Sequence, residues 1–149
     1  MKIYEAEVRE ELLDTLIAMS GDWEAEQSTY GYRKNDRSDI EGNRIFVAER
    51  EGRILGYLFG QTTLAERSSS VMDKGTACFE VEELYVVPRY RSQGIGRALF
   101  VFAEEKLREE GVRYLLLSTA TKNYQRILHF YIDEMGMEFW SARLYKKLH

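Results

Sequence analysis

The stretch Leu84–Leu99, LYVVPRYRSQGIGRAL, holds the residues best suited to chemistry. An apolar run stops at Pro88, a short turn carries Arg89, Arg91, Gly94 and Gly96, and a helical pattern follows. Such a turn builds an anion site. The first turn of a helix exposes unpaired backbone N–H groups at the positive end of its dipole. Glycine lets a phosphate approach the backbone where a Cβ would obstruct it. Arg91 and Arg97 add charge-assisted donors. Two other phosphate-loop chemistries are excluded. A Walker-type loop requires Gly-Lys-Ser/Thr, and Gly96 is followed by Arg97-Ala98. A dinucleotide fingerprint requires a third small residue, where Leu99 stands.

Other chemistries find little support. Two histidines and one cysteine, His129, His149 and Cys78, are too scattered for a metal site, so no metal is expected. A formal net charge of −4 argues against nucleic acid and anionic membrane surfaces as partners. The single cysteine, the lack of a signal-peptide pattern and the absence of a long apolar run lead to the expectation of a cytoplasmic soluble protein. With 149 residues, 44% of them hydrophobic, the chain is expected to form one domain spanning residues 1–149.

The elements that must position the turn follow from periodicity. Val8, Leu12, Leu13, Leu16 and Ile17 predict a helix over Glu7–Met19 ended by Gly21, with a second short helix near Asp22–Ser28 and a polar loop to Asn43. Arg44–Arg50 and Arg53–Leu64 read as strands joined at Glu51-Gly52 in an antiparallel hairpin. A loop over Ala65–Lys74 leads to a long strand, Gly75–Val87, stopped by Pro88. A helix over Gly94–Glu110 is closed by Gly111, and Val112–Ser118 has the apolar character of a strand buried on both faces. A helix over Asn123–Met135 and two short strands, Met137–Trp140 and Ala142–Lys147, complete the chain. The pattern is that of an α/β fold with a mixed sheet.

RSQGIG (Arg91–Gly96) resembles the pyrophosphate loop of the GNAT superfamily of acyl-CoA-dependent N-acetyltransferases, and EELYVVPRYR (Glu82–Arg91) resembles the strand leading into it. The resemblance spans nearly the whole chain. It implies a mostly antiparallel sheet splayed between its fourth and fifth strands, Gly75–Val87 and Val112–Ser118, flanked by about four helices, with acetyl-CoA wedged in the gap. Leu84, Tyr85 and Val86 would pair with the pantetheine arm, and Ser92, Gln93, Gly94, Ile95, Gly96 and Arg97, with Arg91, would cradle the pyrophosphate. Acyl transfer to an amine needs a neutral amine, an oxyanion donor and an acid for the departing thiolate. A backbone N–H near Val86 could serve the oxyanion. For the acid, the family's asparagine and tyrosine match Asn123 and Tyr131 by type. The usual separation of about seven residues falls on Phe130, so Tyr131 is one residue late: either the helix carries a local bulge or Tyr131 is not the acid. The base implied by the resemblance is Glu80, with Glu82, Glu83 or water as alternatives. Simple alternation puts Glu80 and Glu82 on the face of Leu84 and Val86 unless a bulge intervenes.

The resemblance also assigns the acceptor wall to segments carrying Trp23, Glu24, Glu26, Tyr30, Tyr32, Asp36, Asp39 and Glu41, which would suit a small-molecule or peptide amine with positive charge. Arg33, Lys34 and Arg37 interrupt that acidic run. The alternative activity class is a non-catalytic acyl-CoA-binding module of the same fold. Phe139, Trp140 and Tyr145 are either core or a surface for a second copy, the basis for expecting a homodimer.

Overall fold

The computed structural model describes all residues from Met1 to His149. Its centre is the hairpin of strands β2 (Arg44–Arg50) and β3 (Arg53–Leu64). Glu51 and Gly52 take φ values of 50° and 76°, the left-handed pair that matches the twist of a two-residue hairpin. Strand β4 (Ala77–Val86) pairs antiparallel with β3, and β5 (Tyr114–Leu116) pairs parallel with β4. On the far side of β2 lies β1 (Lys2–Ala6), also antiparallel, giving a five-stranded sheet in the order β1-β2-β3-β4-β5.

Helix α1 (Glu10–Glu26) and the short α2 (Arg37–Glu41) cover one face of the sheet, burying Leu13, Leu16 and Ile40 against Ile45, Val47, Tyr57 and Phe59. Helix α3 (Ile95–Glu109) covers the other, burying Leu99, Phe100 and Ala103 against Phe46, Leu58 and Phe79. Because both faces are covered, the middle of β3 reads as an apolar run.

Several expectations need correction. No strand is expected from the sequence over Lys2–Ala6, yet this segment pairs with Ile45–Glu49. The two N-terminal helices are one, because α1 runs through Gly21 and ends only at Gln27, in the left-handed region. A Cβ at Gly21 would touch the Lys34 side chain at 3.4 Å, so the glycine marks a close packing contact within the helix. Within the expected loop, Asp36 and Asp39 form a reciprocal capping box that starts α2. Strand β5 is shorter than Val112–Ser118 and only half-buried, with Tyr114 exposed, since its outer edge has no neighbour. The strands expected over Met137–Trp140 and Ala142–Lys147 do not form: no backbone group from 138 to 149 bonds elsewhere in the chain, and a strand without a partner has no ladder.

The helix expected over Asn123–Met135 has two parts. Helix α4 (Tyr124–Leu128) passes directly into a π-helical turn over His129–Glu134, closed by Met135 N–H donating to Phe130 O at 2.9 Å. Of the two readings of the late Tyr131, this turn supplies a local bulge, and it leaves the residue's role as acid untouched.

Candidate active site

Two irregularities in β4 build the site. The first is a β-bulge: Phe59 pairs with Glu83 and Gly60 with Val81, leaving Glu82 as the extra residue. The bulge changes the alternation. Phe79 and Val81 join Leu84 and Val86 on the α3 side, whereas Glu83 and Tyr85 face α1. Glu80 therefore shares a face with Glu83 and Tyr85, not with Leu84 and Val86, which corrects the simple alternation. Gly60 makes the bulge possible, because a Cβ there would overlap the Glu80 carbonyl.

The second irregularity is the splay. Strands β4 and β5 pair only from Cys78–Tyr114 to Glu80–Leu116. Beyond Glu80 the β4 edge has no neighbouring strand. Val87 N–H donates to Leu55 O on β3, so by alternation the backbone of Leu84 and Val86 faces the gap and that of Tyr85 faces β3. Tyr85 does not belong with the other two: its ring stacks on Trp23 and its hydroxyl donates to Glu26 at 2.8 Å.

At the end of the gap lies the turn into α3. Ser92 and Gly94 take φ values of 63° and 84°, and Gly94 caps the helix without a side-chain bond. None of the N–H groups from Ser92 to Arg97 donates to another group of the chain, which leaves six donors unpaired in the turn and first residues of α3. Ile95 supplies only its backbone here, its side chain being buried beneath α3. A Cβ at Gly96 would lie 3.8 Å from both Phe130 and Val86, so packing alone does not demand glycine there. The chemistry of this donor set fits the pyrophosphate and pantetheine of acetyl-CoA.

The side chains depart further from expectation. Arg91 turns away from the loop, donating from Nε to Val86 O at 2.8 Å and forming a two-pronged ion pair with Glu26. Burial works to raise Glu26, but the bonds from Arg91 and Tyr85 outweigh it and hold its carboxyl below the usual range. Gln93 reaches back to Arg89 O, and Arg97 to Glu134 O. Arg126, not singled out from the sequence, donates to Ser92 Oγ at 2.8 Å and ties α4 to the loop. Asn123 is exposed and its side chain forms no bond.

Tyr131 leaves the π turn to pack against Phe100, ring centroids 6.1 Å apart, with its hydroxyl bonded to nothing in the chain. Burial pushes its pKa up to about 12, so the phenol keeps its proton at neutral pH. Phe130 sits nearer Gly96. Glu80 is half-buried and unbonded, and burial, then the nearby Glu82 charge, raises its carboxyl above the usual range. Glu83 is the opposite case: it accepts from Tyr32 and Tyr57 hydroxyls at 2.9 Å and from Asn35 Nδ2 at 3.0 Å. Burial raises it despite those bonds. A cleft of about 500 Å³ opens beside Glu82 and Glu83, reaching Asp36, Asp39 and Gln61, with Arg33 and Lys34 at its edge. Of the acceptor-wall candidates only Asp36 and Asp39 line it; Trp23 and Tyr32 stack on each other 4.0 Å apart behind Glu83.

The profile of the Acetyltransferase (GNAT) family matches residues 6–137. The chain belongs to the GNAT family. Solved structures agree on the fold. An aminoglycoside acetyltransferase from an uncultured soil metagenomic sample superposes with a TM-score of 0.72 at 16% identity, over 99% of this chain and 98% of that one. A second such soil enzyme, in complex with sisomicin, gives 0.69 at 21%, over 99% and 96%. A Trypanosoma brucei acetyltransferase gives 0.62 at 16%, over 99% and 100%. No curated protein sequence matches. The GNAT fold accounts for the splay, and no helix is long and apolar enough to cross a membrane.

Proposed function

We propose that the protein transfers an acetyl group from acetyl-CoA to a primary amine within a ternary complex. The observation that carries this reading is the row of unpaired donors from the free β4 edge to the six amides of Ser92–Arg97. The amine nitrogen attacks the thioester carbonyl carbon, the C–S bond breaks, and the amine's proton passes to a base. Val86 N–H, turned toward the gap, receives the oxyanion. Tyr131, held protonated, delivers a proton to the departing thiolate. Glu80 serves as the base through bridging water: its carboxylate is unengaged and burial raises it above the usual range, whereas Glu83 is already saturated by three donor groups.

The cleft supports a cationic acceptor. Asp36, Asp39, Glu82 and Glu83 outnumber Arg33 and Lys34 around it. An aminoglycoside-like polyamine fits that balance, and two of the solved structures similar in fold are aminoglycoside acetyltransferases. The unbonded hydroxyl of the half-buried Tyr131 also fits the second reading, a module that binds acyl-CoA without turnover.

The test is free-thiol release from acetyl-CoA against polyamines, aminoglycosides, amino acids and peptide N-termini, with cofactor binding measured in parallel. Amine-dependent release with a preference for cationic amines is expected. Tight binding without release from any amine would favour the module, and preference for neutral or acidic amines would remove the cationic-cleft assignment.

A further inference from the structure

The gap between β4 and the chain beyond β5 is crossed by the end of α1. Glu26, the last residue of that helix, is tied to the β4 side. It accepts from the Tyr85 hydroxyl at 2.8 Å and from both terminal nitrogens of Arg91, at 2.7 and 3.0 Å. A few residues later the same stretch is tied to the other side. Tyr30 N–H donates to Ala120 O at 2.9 Å and Lys122 N–H to Ser28 O at 2.8 Å, which pairs Thr29 with Thr121. Residues 26–30 thus form a strap fastened to both lips of the gap. Gln27, in the left-handed region at a φ of 55°, turns the chain between the two fastenings.

Arg91 extends the fastening into β4. Its Nε donates to Val86 O at 2.8 Å, on the edge that β5 leaves after Glu80. The Val86–Val87 peptide is therefore held from two directions, because Val87 N–H donates to Leu55 O at 2.9 Å. A carbonyl on an edge without a neighbouring strand ordinarily turns to water, and here a side chain takes the place of the absent strand. Arg91 is fixed in turn. It stacks on Tyr85, whose ring centroid lies 5.2 Å from the guanidinium carbon, and it commits three of its five N–H groups to Glu26 and Val86. The Glu26 carboxylate also offsets its charge, which leaves an incoming diphosphate to the unpaired amides of Ser92–Arg97.

We propose that Arg91 and Glu26 are positioning residues and not ligands of the cofactor's diphosphate: together they hold Val86 at the lip of the gap, with its N–H aimed where the oxyanion develops. The inference rests on the acetyl-transfer reading given above. Because the strap also reaches the opposite lip, loosening Glu26 loosens the width of the gap in which the thioester sits.

The test compares Glu26→Gln and Arg91→Gln with the unmodified chain in three measurements: calorimetric binding of coenzyme A, hydrogen exchange at the Val87 amide, and steady-state kinetics with an amine that releases thiol. Glu26→Gln keeps the shape of the side chain, and the two side chains are 23% and 38% exposed, so neither change opens the core. In both variants coenzyme A affinity is expected to stay within about twofold, Val87 exchange to quicken about tenfold, and kcat to fall about tenfold at unchanged amine KM. A diphosphate ligand would behave in the opposite way. Arg91→Gln would then weaken coenzyme A binding by about tenfold or more, while Glu26→Gln, by freeing Arg91, would tighten it. That pattern would overturn the proposal, as would unchanged Val87 exchange, or an unchanged kcat despite faster exchange. If the unmodified chain releases thiol with no amine, the transfer reading fails by itself, and binding and exchange still decide between a clamp and a phosphate ligand.

Discussion

Replacing Gly60 by alanine places a methyl group in the β4 bulge. The new Cβ would overlap the Glu80 carbonyl oxygen and lie 2.9 Å from a Phe79 ring carbon and 3.0 Å from the Glu80 carbonyl carbon. Ordinary carbon contacts are about 3.5–4.0 Å. The obstacle is backbone, so no rotamer change relieves it, and β3 and β4 must separate locally. Overpacking of this kind costs about 1–3 kcal/mol. Weakening one or two ladder bonds around the Phe59–Glu83 and Gly60–Val81 pairs adds about 1 kcal/mol each. The reduced freedom of the unfolded chain returns about 0.5 kcal/mol. The net loss is about 3 kcal/mol, which at this chain length lowers the melting temperature by about 6–12 °C. Thermal and urea unfolding measure it. Gly42→Ala is the control: Gly42 has a φ of −83° and no atom within 4 Å of its missing Cβ, so its change should stay within about 0.5 kcal/mol. If Gly60→Ala melts like the control, the bulge does not constrain the strands as argued, and the shared face of Glu80 and Glu83 loses its structural basis.

Tyr131→Phe is expected to reduce turnover by about 100-fold while acetyl-CoA affinity, measured by calorimetry, stays near that of the unmodified chain. A parallel loss of affinity would instead mean that the ring holds the cofactor. Glu80→Gln should remove the acidic limb of the pH–rate profile, and an unchanged profile would exclude Glu80 as the base. Glu5 accepts from Arg44 and pairs with Lys106, and the Arg44 bonds lead in bringing its carboxyl down to about 2. A depressed carboxyl contributes stability above its unfolded pKa and loses it as pH falls through the folded one. Glu5→Gln should therefore cost about 1–2 kcal/mol in urea unfolding at pH 7, with a difference that shrinks from about pH 4.5 toward pH 2.

What could be read from the sequence was local. The β2–β3 hairpin announces itself because two apolar runs flank a Glu-Gly pair that accepts left-handed φ, and α3 because its apolar residues recur at helical spacing. The anion turn was legible because Gly94 is needed for its backbone conformation. What was not legible depends on distant contacts. β1 is five residues with no buried side chain, so it carries no strong alternation. Gly21 looks like a helix stop until Lys34 is seen to pack against it. The bulge at Glu82 inverts the faces on either side, and the Glu83 site joins Tyr32, Asn35 and Tyr57 across three separate elements. Arg91 lies in the expected motif, but Glu26, remote in sequence, directs its side chain.

The π turn at His129–Glu134 also bears on how this chain tolerates changes in length. An extra residue in an α-helix rotates everything beyond it by about 100°, turning buried side chains outward. A π turn takes up that residue within one widened loop of backbone, so Gly136 and Met137 keep the angular phase needed to leave the helix, with Met137 N–H still reaching Tyr131 O at 2.9 Å. A one-residue deletion at Ile132 or Asp133 can therefore relax to ordinary α-geometry around an unmoved exit. The same deletion in α3 would swing Phe100, Ala103 or Leu107 out of the core.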